Sequence, residues 1–117
     1  MSIISVVSQD NLVGFTVTRV AASSGGDQFL NISGGVYLDI LNTGTQKTLT
    51  VISSRDSNFG VFVNHTETIP AGVSYVTRAF EPRRFNTDSG YVLFSFNDVT
   101  GVSVAAIKRT TIYRKTS

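Results

Sequence analysis

An alternation of apolar and polar residues with a period of two runs through this chain and breaks roughly every ten residues at a cluster of turn formers. No ten-residue stretch carries the 3.6-residue period of an amphipathic helix. In VYLDILN, Val36, Leu38 and Ile40 fall on one side of an extended strand and Tyr37 and Asp39 on the other, because successive strand side chains point to opposite faces. In KTLTVIS, Leu49 and Val51 oppose Thr48 and Thr50. The intervening NTGTQ, residues 42–46, offers Asn and Gly for tight backbone geometry and predicts a hairpin joining the two runs. Further strands are predicted over 3–7, over 14–22 with Phe15, Val17 and Arg19 on one side, and over 60–64, 73–80, 91–97 and 102–109. Such spacing predicts an all-β fold, an antiparallel β-sandwich of jelly-roll or immunoglobulin-like type.

The two prolines fit this scheme. Pro70 in TIPAG has no N–H to give a ladder, so Pro-Ala-Gly ends one strand and Val73 begins the next. Pro82 in FEPRRF marks a longer connection, where Phe80 and Phe85 are expected to anchor the loop while Arg83 and Arg84 face out.

A length of 117 residues predicts a single domain, residues 1–117, with 1–12 and 110–117 as extended terminal arms or edge strands. Only 15% of residues are charged while 41% are hydrophobic, a surface that charge protects poorly from association. Ten basic and eight acidic residues leave a net charge of +2, too even to predict a direct nucleic-acid partner. The basic groups are unevenly placed: Arg83 and Arg84 adjoin, and Lys108, Arg109, Arg114 and Lys115 crowd the end. No apolar run approaches the roughly 20 residues that span a bilayer, and MSIISVVSQD lacks the basic and long apolar regions of a secretion signal. The chain therefore reads as a product of a cytoplasm with no membrane partner, and its two N-x-[ST] triplets, at Asn31 and Asn64, as chance.

Reactive chemistry is sparse. His65 is the single histidine, and no G-x-S-x-G elbow supplies a nucleophile beside it. There are no cysteines for disulfides or thiolate sites. Asn86, Asp88, Asn97 and Asp98 are the nearest approach to a calcium set, and turn residues of these types need no metal. Glu67 and Glu81 each sit near a proline corner, and the Gly-rich stretches match no phosphate loop. The expectation is no enzyme, no cofactor and no metal. Phe15, Phe62, Phe80, Phe94 and Phe96 read as core, whereas Tyr37, Tyr75, Tyr91 and Tyr113 fall where a hydroxyl stays wet, as at an interface with a sister subunit.

The order LDILNTGTQKTLTV, TIPAG, RAFEPRRFNTDSGYVLFSF, VTGVSVAAIKR, covering residues 36–109, resembles small β-sandwich virion proteins of tailed bacteriophages. That resemblance implies a capsid decoration, or cement, protein: a homotrimer that clamps onto the major capsid protein lattice, assembled in the host cytoplasm and ending in the virion. The alternative is a glycan- or receptor-binding module of a phage tail or fibre. For assembly, contacts are expected at the chain ends and basic positions: Ile3, Val6, Arg83, Arg84, Lys108, Arg109, Ile112, Tyr113 and Arg114; for the alternative, recognition is expected through Tyr and Asn on the end loops.

Overall fold

In a computed structural model, which describes residues 2–8, 18–32, 34–53 and 64–108, the alternation becomes two mixed β-sheets packed face to face. In chain order the elements are β1 Ser2–Ile4, β2 Val6–Ser8, β3 Val20–Ala21, β4 Asp27–Leu30, β5 Val36–Asn42 and β6 Lys47–Val51, then β7 His65–Ile69, β8 Val73–Val76, α1 Pro82–Phe85, β9 Tyr91–Phe96 and β10 Val102–Lys108. The first sheet has the order β1-β4-β9-β6-β7; the second has β2-β10-β5-β8, with β3 also paired to β10. The chain is an all-β sandwich. Only the N-terminal strands pair in parallel, β1 with β4 and β2 with β10.

Apart from Phe29 on β4, a strand the sequence reading did not mark, the inward residues are those the alternation assigns. Phe29, Leu49, Val51, Val92, Phe94 and Phe96 of the first sheet meet Leu38, Ile40, Val102, Val104 and Ala106 of the second. Phe29 is fully buried, its ring 5.8 Å from both Phe80 and Phe94. Phe80 and Phe85 are both buried, meet edge-to-face at 5.5 Å and anchor the loop between β8 and β9 as expected. That loop contains the one-turn helix α1, which begins at Pro82, where a fixed φ and a missing N–H cost nothing.

The predicted hairpin of residues 36–42 and 47–53 does not form. β5 spends its ladder on β8 and β10, β6 on β7 and β9, so NTGTQ carries the chain across the sandwich end from one sheet to the other. Its geometry is fixed by Asn42, wholly buried, whose amide donates to the carbonyls of Thr45 (2.8 Å) and Pro70 (3.0 Å) and accepts from the Gly44 N–H (3.1 Å). Gly101 packs against the same turn at φ +74°, where a Cβ would lie 2.9 Å from the Thr43 hydroxyl and 3.0 Å from the Gly44 nitrogen. Lys47, 2% exposed, sends its ammonium to Thr45 Oγ1 (3.0 Å) and Asp98 (3.4 Å) at this end. The Pro-Ala-Gly corner does separate β7 from β8, and here too the chain changes sheets.

At the opposite end, Asn31 and Asn86 lock the α1 loop to the end of β4. Asn31 donates to the Asn86 side chain and the Phe80 carbonyl, and Asn86 donates back to the Asn31 carbonyl. The segment predicted as one strand over 3–7 divides at Ser5 into β1 and β2, one on each sheet, with Ile4 buried between them, so residues 2–8 are edge strands rather than a loose arm. Of the strand predicted over 14–22 only β3 is seen; residues 14–17, with Phe15 and Val17, lie outside the described residues, as do 60–63, with Phe62, and 110–117. Asp39, on the face of β5 opposite Leu38 and Ile40, is nevertheless 9% exposed, because Arg19 lies across the outer face of the second sheet and grips its Oδ1 at 2.9 and 3.1 Å.

Candidate interaction surfaces

β7 and β8 close one flank of the sandwich. Alternation turns His65 and Glu67 of β7 and Tyr75 of β8 toward the gap between the sheets. His65 Nε2 lies 3.1 Å from Glu67 Oε2, and the Tyr75 hydroxyl donates to Glu67 Oε1 at 2.7 Å. The imidazole also packs edge-on against Phe85, with centroids 6.3 Å apart. Glu67 therefore sits mid-strand, not at the corner, and its carboxylate ties one sheet to the other. The hydroxyl hydrogen-bonded to this pair is the Tyr75 phenol, so the three side chains form a clasp between the two sheets.

The hydrogen bond to Glu67, then desolvation, then the carboxylate charge raise the Tyr75 pKa above its ordinary 10.0. A pKa raised on folding adds stability that is complete below the unfolded value and is lost as pH rises through the folded one. Thermal unfolding measured across pH 10 is expected to show a decline that Tyr75→Phe reduces. Identical slopes for the two proteins would show that the clasp contributes nothing.

The four residues considered for calcium separate. Asn86 and Asp88 lie at the α1 end, with Asn86 buried against Asn31. Asn97 and Asp98 lie at the other, where Asn97 accepts from the Thr48 N–H (2.7 Å). Asp98 accepts from the Thr100 N–H (3.0 Å), which, with Lys47 adding to the effect, lowers its pKa. No group of three or more metal-ligating side chains occurs among the described residues. No described helix is long and apolar enough to cross a membrane. Among the described residues the tyrosines form no row either: Tyr37 and Tyr91 lie on opposite outer faces and Tyr75 turns inward.

Of the expected contact residues, Ile3 is exposed at 61%, but Val6 packs against the core and leaves Val7, at 42%, as the outward residue of β2. Arg83 is exposed, whereas Arg84 is half-buried with its guanidinium 4.8 Å from the centre of the Phe85 ring. Lys108 ends β10 opposite Val36, whose carbonyl also accepts from the Phe80 N–H, so Lys108 and the arginines share one end of the sandwich. Arg109, Ile112, Tyr113 and Arg114 lie outside the described residues. At the same end, Ile32, Pro82, Arg83 and residues 86–90 line an open depression of about 430 Å³.

Sequence reading missed the outer face of the first sheet. Thr48 pairs with Thr68 and Thr50 with Thr66, giving a hydroxyl-bearing half on β6 and β7; Ile3, Leu30, Tyr91 and Leu93 give a largely apolar half on β1, β4 and β9, interrupted by Gln28, which lies in register between Ile3 and Leu93. The alternation marked these positions as outward, but only the strand order brings them together.

No protein-family model, curated protein or solved structure matches this chain.

Proposed function

We propose that this chain is a non-catalytic structural subunit of a virus particle, a capsid decoration protein that docks on the lattice of the major capsid protein. The observation that carries this reading is the N-terminal segment straddling both sheets. Ile4 and Val6 face the core, while Ile3 and Val7 stand exposed on the outermost strands of the two sheets among the described residues. Apolar side chains on sheet borders are suited to a neighbour that supplies a further strand or an apolar groove. Such contacts, each weak, add up when repeated over a lattice. The resemblance to small phage sandwich proteins supplies the kind of lattice, and the basic end bearing Arg83 and Lys108 adds a second contact region.

Incubation with expanded, undecorated capsids tests the reading. The protein is expected to bind to a fixed stoichiometry, and the double variant Ile3→Ser, Val7→Ser to weaken binding about tenfold or more, with little change in melting temperature because neither side chain is core. Unchanged occupancy by the variant would remove the N-terminal flank from the interface. A second reading, a glycan- or receptor-binding module, is favoured by the depression, where Arg83, Asp88 and Ser89 flank the apolar Ile32 and Pro82. A protein that ignores capsids and binds a glycan array through Arg83 would support it instead.

A further inference from the structure

We infer that the outer face of the first sheet, whose strands are β1, β4, β9, β6 and β7, is a self-association surface occupied by the same face of a second copy. The argument rests on where the charges are. Every charged side chain among the described residues lies elsewhere. Asp27 and Lys47 point inward, Glu67 lies at the flank, Asp39 and Arg19 are on the opposite sheet, and the remainder are on strand ends and connections. The outward positions of this five-stranded face are instead uncharged: Ile3, Leu30, Tyr91 and Leu93 with the neutral Gln28 between them on one side, and Ser95 and the threonines of β6 and β7 on the other.

A two-fold pairing sets each patch against its own copy, so a patch with net charge repels itself and an uncharged one does not. With the axis across the strands, Leu30, Tyr91 and Leu93 meet their counterparts and the threonines meet threonines, which keeps apolar and hydroxyl surface matched. Exposed apolar groups also stand on and beside this surface: Ile3 and Leu30 on the face, and Ile32 beyond the end of β4 at 69% exposure.

Size sets the strength. At about 4.8 Å between strands and 3.3 Å per residue, the face covers roughly 300–400 Å², about half of the ~800 Å² per partner typical of a stable complex. The association is therefore reversible and concentration-dependent. The face shares Ile3 at its border with the proposed capsid contact, but its centre, Leu93 of β9 beside Thr50 of β6, belongs to neither that contact nor the basic end, so the two readings are tested by different variants.

Sedimentation velocity of the full chain, from micromolar to about 1 mM, tests it. The wild type is expected to shift from monomer to dimer as concentration rises. Leu93 lies at the centre of the middle strand and is outward-facing, so Leu93→Lys and Leu93→Glu should each stay monomeric where the wild type dimerises, with native spectra and melting temperatures near wild type. An equimolar mixture of the two should recover the dimer. Thr50→Lys, on the neighbouring strand, should weaken association at least tenfold and serves if the Leu93 variants fold poorly. A wild type that remains monomeric throughout, or dimers that survive both Leu93→Lys and Thr50→Lys, would overturn the inference. A monomer that still saturates capsids would overturn it while leaving the decoration reading intact.

Discussion

Phe29→Ala is expected to cost about 3–5 kcal/mol of folding stability, and so to lower the melting temperature by roughly 10–20 °C. Phe29 is completely buried and stands between the first sheet, through Phe94, and the α1 connection, through Phe80, with both rings 5.8 Å away. Truncation removes the contact surface on both sides, and the β-sheet backbone around β4 cannot collapse to refill the space. For a domain whose total stability is on the order of 5–15 kcal/mol, this loss is a large fraction of the whole. Chemical denaturation checks it: a shift in midpoint equivalent to less than about 1 kcal/mol would mean that Phe29 is not the centre of the core.

Asn42→Ala is the second large effect, at about 3 kcal/mol. The substitution strips the Thr45 and Pro70 carbonyls of a donor and the Gly44 N–H of its acceptor, and a buried partner left alone costs about 1–3 kcal/mol. Because this amide joins the crossing turn to the Pro-Ala-Gly corner, protease cleavage within 43–46 should accelerate together with the fall in stability. Faster cleavage with no fall in stability would place Asn42 in a local clamp only.

These two residues mark the boundary of what the sequence disclosed. Alternation identified β5, β6, β9 and β10, and Pro70 and Pro82 were read correctly as interruptions, because those signals depend on a residue and its immediate neighbours. NTGTQ was misread because turn residues allow a chain to reverse without specifying which sheet receives it. The answer depends on partners more than twenty residues away, on β8, β9 and β10. Lys47 and Asp39 look exposed in sequence because both are ionic. Each is covered through a distant partner, Asp98 for one and Arg19 for the other, and no local pattern announces such pairs. For the surfaces, Ile3 and Arg83 were legible as residues that stand exposed. The inward turn of Val6 depends on the break at Ser5, and the absence of charge from one entire face becomes visible only once the register is known.

The direction of the N-terminal pairings has a mechanical consequence. β2 runs parallel to β10, with Val6, Val7 and Ser8 in register with Ala106, Ile107 and Lys108. A pull applied before β2 and after β10 slides these strands along each other, so their hydrogen bonds bear the load together instead of parting one by one. A hairpin pulled at its open end would unzip; this arrangement resists as a shear joint, so the N-terminal edge of the sandwich is the part built to hold under tension along the strands.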